Sequence, residues 1–192
     1  DLFEKSVTVV TAPYGTPENV FKLTTDFISL LGSLPLLMDT AEADGLLGKV
    51  QVLPQLAAAA LLDATLEQPG WLEAKKLAAR PYAAVTSGFG YHDDAVSLRE
   101  SALENRENMV RLLNSYISAL LQLRDELEDG DREALGRRLE NAWSGRVRWF
   151  EERAEAEWLN REAQKIDAPS FGERVNQLLF GSALSDRSKN RK

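Results

Sequence analysis

Ala43-Asp44-Gly45-Leu46-Leu47-Gly48-Lys49-Val50-Gln51-Val52-Leu53-Pro54-Gln55-Leu56, running into Ala57-Ala58-Ala59-Ala60-Leu61-Leu62, is the stretch on which the fold turns. It has the pattern of a helix that is apolar on almost every side. One polar line interrupts it: Asp44, Gly48, Gln51 and Gln55 are spaced four, three and four apart, so they stack on one face of an α-helix. A helix apolar all round is buried, and buried polar groups need partners. The line therefore faces either a hydrogen-bonded neighbour or a cleft that holds a ligand. The helix is expected to begin near Thr40 and to run to about Glu67, with Pro54 kinking it or splitting it in two.

Upstream, Ser6-Val7-Thr8-Val9-Val10 is β-branched and reads as a strand closed by a turn at Pro13 and Gly15. Thr16 is placed to cap the next helix, Pro17 suits its first position and Glu18 complements its dipole. Val20, Leu23, Phe27, Leu30 and Leu31 recur at helical spacing, Gly32 ends the helix, and Leu34 to Met38 is a second strand.

Downstream, Pro69-Gly70 breaks the chain before a short helix from Trp71 to Ala79. Arg80 to Asp94, with Pro81, Gly88 and Gly90, is the least regular stretch. A long helix is expected from about Asp94 to Glu128. Along it Met109, Leu113, Tyr116, Leu120, Leu123 and Leu127 form a heptad-like seam, widened by Val110, Ile117 and Leu121. Asp129-Gly130-Asp131 is a break that carries a cap for the following helix. That helix holds Leu135, Leu139, Ala142, Trp143, Val147, Phe150 and Ala154 and is expected to end near Leu159. A last short helix is expected around Phe171, Val175, Leu178 and Leu179.

With 192 residues, 44% of them hydrophobic, the chain can build one good core, or a domain plus part of another. Its longest uninterrupted apolar run, Leu56 to Leu62, is far short of the roughly 18 residues of a membrane span, so no membrane is expected. Asp1-Leu2-Phe3-Glu4-Lys5 lacks the basic region and apolar stretch of a signal peptide. Cysteine is absent, which excludes thiol catalysis and thiolate metal sites and fits a cytoplasmic location. A net charge of −7 repels phosphate backbones, so no nucleic acid is expected as partner. The basic end, Arg187 to Lys192, is short and is expected to be disordered.

The expected fold is thus mainly α: a strand–helix–strand opening followed by an all-helical bundle. Two strands and a helix cannot bury their own faces, so the opening must complete a larger sheet or pack on the bundle. It reads as a piece of a longer polypeptide.

Several segments together resemble the later part of the prephenate/arogenate dehydrogenases, NAD(P)-dependent enzymes of tyrosine biosynthesis. Asp1-Leu2-Phe3-Glu4 followed by Val7 to Pro13 is similar to the entry into a late strand of their nucleotide-binding domain, and Phe27 to Met38 to its closing helix and strand. Glu42-Ala43-Asp44 and Val50-Gln51-Val52-Leu53-Pro54-Gln55 resemble the family's Glu-His-Asp and Val-Ser-His-Leu-Pro-His motifs. Leu103-Glu104-Asn105-Arg106-Glu107-Asn108 resembles the start of its long dimerisation helix. The family has histidines where this chain has Ala43, Val52 and Gln55, and a serine where it has Gln51. Gly88-Phe89-Gly90-Tyr91 aligns with a Thr-Arg-Ile-Ala motif whose arginine holds a substrate carboxylate; Arg80 would need a gap to serve instead.

The resemblance implies residues 1–39 as the end of a Rossmann-like nucleotide-binding domain, 40–185 as an all-helical substrate and dimerisation domain, and 186–192 as a basic tail. It implies NAD or NADP, bound mainly by the preceding domain, where the family's catalytic histidine and glycine-rich loop also lie. It implies a small-molecule carboxylate substrate, and a homodimer through the long helix near Met109 to Leu127. On this reading residues 1–192 alone are inactive. The competing reading is a non-catalytic dimerisation module that kept the scaffold while the site decayed.

Gln51 and Gln55 are the foremost candidates for substrate contact, although a neutral amide forms no charge-assisted bond; otherwise they bond neighbouring helices or line a dimer interface. Asp44 either caps or salt-bridges the helix, or sits at a cleft mouth. Lys49 lies off the line as a snorkelling surface residue. Arg80 is the first choice to clamp a carboxylate. His92, beside Asp93 and Asp94, is either a general base or a solvated residue next to a helix cap. One histidine and no cysteine argue against a transition-metal site. Trp143, Trp149, Phe150 and Trp158 are expected in core or dimer packing, and Glu151, Glu152 and Glu157 on a solvated face.

Overall fold

Strand β1 (Val7–Val10), helix α1 (Glu18–Leu30) and strand β2 (Leu34–Leu37) open the chain. The computed structural model describes residue 3, residues 6–90 and residues 95–155. It divides into two units, Asp1–Ala43 with Gly130–Lys192, and Asp44–Asp129. His92, Glu157, Trp158, the segment around Phe171 to Leu179 and the tail 186–192 lie outside the described residues.

In the first unit β1 and β2 pair in parallel, Val7 opposite Leu34 through to Val10 opposite Leu37. Parallel neighbours need a crossover, and α1 supplies it. Thr16 does not cap α1: its hydroxyl donates back to the Pro13 carbonyl at 2.7 Å, closing the turn, and Pro17 stands at the cap without a side-chain bond. The far end behaves as expected. Gly32 has φ 81°, the Ser33 N–H donates to the Ile28 carbonyl at 3.2 Å, and the Gly32 N–H to that of Ser29 at 3.0 Å. These paired bonds satisfy the last carbonyls of the helix, and the positive φ is one that glycine adopts without strain. The buried Ser33 hydroxyl then ties the strands, 2.7 Å from Thr8 Oγ1 and 2.9 Å from Ser6 Oγ.

The core of this unit is Val10, Phe21 and Ile28, flanked by Ala12 and Leu37. It is not the expected stripe. Val20, Leu23, Phe27, Leu30 and Leu31 are exposed, Leu23 to 71%. Helix α1 is apolar on two faces, and the strands take the one with Phe21, Thr25 and Ile28. Thr25 is admitted because its hydroxyl bonds the Phe21 and Lys22 carbonyls at 3.2 and 3.0 Å.

Helix α2 (Thr40–Leu47) begins in this unit, with Asp39 Oδ1 accepting the Glu42 N–H at 2.8 Å. The last described element, α8 (Arg132–Glu155), is capped as expected: Asp131 Oδ1 accepts the N–H groups of Glu133 and Ala134 at 3.1 and 2.9 Å. Trp143, Trp149 and Phe150 are exposed rather than packed in a core. The Trp149 and Phe150 rings meet edge-on at 4.7 Å, with the Arg146 guanidinium 4.5 Å from the Phe150 centroid.

In the second unit α2 runs through a π turn (Gly48–Val52) into α3 (Leu53–Thr65). Thus Pro54 neither kinks nor splits the helix. The turn widens by one residue, the Leu53 N–H reaching back to the Gly48 carbonyl, and Pro54 falls in the first turn of α3, where a missing N–H breaks no ladder. The run Thr40–Thr65 is long and apolar enough, by length and composition alone, to cross a membrane. The expectation that it is buried fails: Val50 is 66% exposed and Leu46 about half.

Helices α4 (Trp71–Leu77) and α5 (Arg80–Thr86) follow, then a 3-10 turn (Ser87–Gly90). The stretch expected to be irregular is therefore helical from Arg80 to Thr86, with Pro81 again in a first turn. Helix α5 packs on α3, where the Tyr82 hydroxyl lies 2.8 Å from Thr65 Oγ1 and the Tyr82 ring 5.8 Å from that of Trp71. The single long helix expected from Asp94 to Glu128 is two, α6 (Ala95–Glu104) and α7 (Arg106–Glu128), broken at Asn105 with φ −103° and ψ 30°.

Candidate functional site

The π turn packs against α6 and α7. Gly48 permits the approach. A Cβ there would lie 2.8 Å from Asn105 Nδ2, 3.2 Å from Met109 Sδ and 3.6 Å from Leu112 Cδ1. The same Asn105 amide donates to the Asp44 carbonyl at 2.7 Å. Asn105 Oδ1 accepts from Asn108 Nδ2 at 2.8 Å, and Asn108 Oδ1 from Arg111 at 2.7 Å. A polar ladder therefore runs from the α2 backbone up the first turns of α7. The break at Asn105 frees a side chain from helical packing to make the first rung, a use of the residue that the apolar periodicity did not reveal.

Of the polar line, Gly48 and Gln55 are buried while Asp44 and Gln51 are exposed. The π turn explains the division: one extra residue turns everything after it by roughly 100° against the α-helical register. Gln55 is 7% exposed, and its Nε2 donates to the Gln51 carbonyl at 2.8 Å. Its Oε1 is buried and, among the described residues, meets no hydrogen-bond donor. Gln51 and Gln55 are thus brought together, through backbone and side chain, but only Gln51 presents its side chain to solvent. The expectation of two amides lining one open cleft is met by one of them. Asp44 uses its backbone carbonyl, not its carboxylate, in the ladder. Arg80 is exposed at the start of α5. The guanidinium is a free-standing cation on the helix that packs against α3, the helix holding Gln55.

Along α7 the heptad seam is uncovered. Met109 is buried beneath Gly48, but Val110, Tyr116, Ile117, Leu120, Leu121 and Leu127 are exposed. A ridge of this kind on a helix is a surface for another chain.

Residues 39–141 match the family described as prephenate dehydrogenase, dimerization domain. The fold is that of solved dehydrogenases. An arogenate dehydrogenase from Synechocystis superposes with TM-score 0.69 at 20% identity, over 77% of this chain and 54% of that one. A prephenate dehydrogenase from A. aeolicus, in complex with hydroxyphenyl propionate and NAD+, gives 0.69 at 22% identity, over 77% and 51%. The chain therefore spans about half the length of these structures. No curated protein matches it by sequence. The family match covers more than half of the 192 residues and contains the π turn, the polar line, the ladder and the exposed seam, and on that ground the chain belongs to the prephenate dehydrogenase family.

Proposed function

We propose that this chain is the helical, substrate-binding and subunit-binding half of an NAD(P)-dependent oxidoreductase that converts prephenate or arogenate by oxidative decarboxylation in tyrosine biosynthesis. The carrying observation is the family match over residues 39–141, which contains both the polar line and the seam. On this reading residues 1–39 are the end of a nucleotide-binding domain and residues 40–185 the helical domain.

The chain's own β–α turn does not suit a nucleotide phosphate. Between β1 and α1 it carries one glycine, Gly15, and Pro17 removes an N–H where the anion would bind. The nicotinamide, held by the rest of that domain, accepts a hydride from the substrate ring as carbon dioxide leaves. The part left to these helices is to seat the ring compound and hold its carboxylates. Arg80 is the only cation among the four site residues and takes a carboxylate; exposed Gln51 donates to a second oxygen; Asp44 stands at the mouth; Gln55 lies behind. A second copy of the chain covers the α7 seam from Met109 to Leu127. It also accounts for the bare apolar face of Thr40–Thr65 without a membrane. An acidic, cysteine-free protein of this kind fits the cytoplasm.

The test is an assay of the polypeptide that carries this chain together with its nucleotide-binding domain, with NAD+ or NADP+ and each acid. Reduced cofactor is expected with at least one acid, and none from residues 1–192 alone. No reduction with either acid refutes the assignment. The enclosed amide of Gln55 favours a second reading, a dimerisation module without catalysis; it predicts a stable dimer that binds neither acid.

A further inference from the structure

We propose that Gln55 selects the molecule taken at the polar line by demanding a hydrogen-bond donor from it; this rests on reading that line as a substrate site. The bond from Nε2 to the Gln51 carbonyl, 2.8 Å long, determines which end of the amide is which. Reversed, Oε1 would face that carbonyl oxygen, acceptor against acceptor. The group left over is therefore the oxygen, buried and unmet. A buried acceptor without a donor is costly, and methionine would fill the same space on this helix of Ala, Leu and Val without that cost. A group kept at the expense of stability is explained by what it binds.

A carboxylate or keto oxygen brings a second acceptor to Oε1 and is repelled; an O–H or N–H relieves it. Two donors suit a ring acid of the proposed class, a ring hydroxyl and a side-chain ammonium. Oε1 is closed in the free chain, and exposed Gln51, one turn earlier, marks the side from which a ligand displaces the covering atoms.

The experiment titrates the 192-residue chain and its Gln55→Met variant with four probes, followed by NMR shifts: 3-phenylpropionate, 4-hydroxyphenylpropionate, L-phenylalanine and L-tyrosine. Gln55→Met is expected to raise the melting temperature. It is expected to weaken by about ten-fold the probes that carry the recognised donor, leaving 3-phenylpropionate unchanged. Loss confined to 4-hydroxyphenylpropionate and L-tyrosine assigns the ring hydroxyl; loss confined to the two amino acids assigns the ammonium. Equal effects on all four, or a lower melting temperature, overturn the proposal while leaving the site in place. Failure of all four to bind the wild-type chain removes the site itself, and the proposal with it.

Discussion

Gly48→Ala tests whether the π turn is held by close approach to α7. The new methyl would sit 2.8 Å from Asn105 Nδ2 and 3.2 Å from Met109 Sδ. Asn105 is the end of a flexible side chain and can swing away, but doing so breaks its 2.7 Å bond to the Asp44 carbonyl. That bond contributes about 1 kcal/mol. Shifting Met109, 2% exposed, by a few tenths of an ångström costs about 1 kcal/mol more, the low end for overpacking. Alanine recovers about 0.5–1 kcal/mol of backbone entropy over glycine. The net destabilisation is about 1 kcal/mol, which lowers the melting temperature by roughly 4–8 °C in a unit of this size. Asn105→Ala removes the worst contact and the bond together. In that background Gly48→Ala should cost about nothing. The cycle, read by urea denaturation followed by far-UV circular dichroism, should give a coupling of about 1 kcal/mol between the sites. Equal costs in both backgrounds, within about 0.3 kcal/mol, would show that Gly48 is not there to admit the Asn105 amide.

Other perturbations have smaller reach. Ile117→Asp with Leu120→Asp, both on the exposed side of α7, should leave helicity intact and convert a dimer to a monomer in sedimentation equilibrium; a monomer before mutation would refute the seam as an interface. Asp131→Ala removes both cap bonds at the start of α8 and should cost about 1 kcal/mol, seen as earlier thermal loss of helical signal. Arg137→Ala breaks only the exposed pair with Glu133 and should change stability by less than about 0.5 kcal/mol.

Where local chemistry decides the backbone, the residues announced it. Gly32 ended α1, Asp131 capped α8, and the β-branched run at Val7 to Val10 made a strand beside Leu34 to Leu37. Pro81 misled because proline was read as a breaker, whereas in a first turn it has no N–H to lose. Helix α1 misled for another reason. Periodicity finds an apolar stripe but cannot say which of two stripes a partner takes, and here the strands took Phe21 and Ile28 while Phe27 and Leu30 stayed bare.

The site was half legible because its one irregularity leaves no mark in the pattern. Asp44, Gly48, Gln51 and Gln55 fit an α-helical face, so nothing in their spacing betrays a π turn. What betrays it is pairwise and distant: a glycine that must admit Asn105, 57 positions later in the numbering, and a proline that tolerates a widened turn just before it. Once the turn is in place, the four residues separate into functions. Gly48 packs and Asp44 anchors through its carbonyl. Gln51 is offered to solvent and Gln55 is turned inward with an acceptor to spare. A tertiary contact, not local propensity, thus decides which member of the polar line a ligand would meet first.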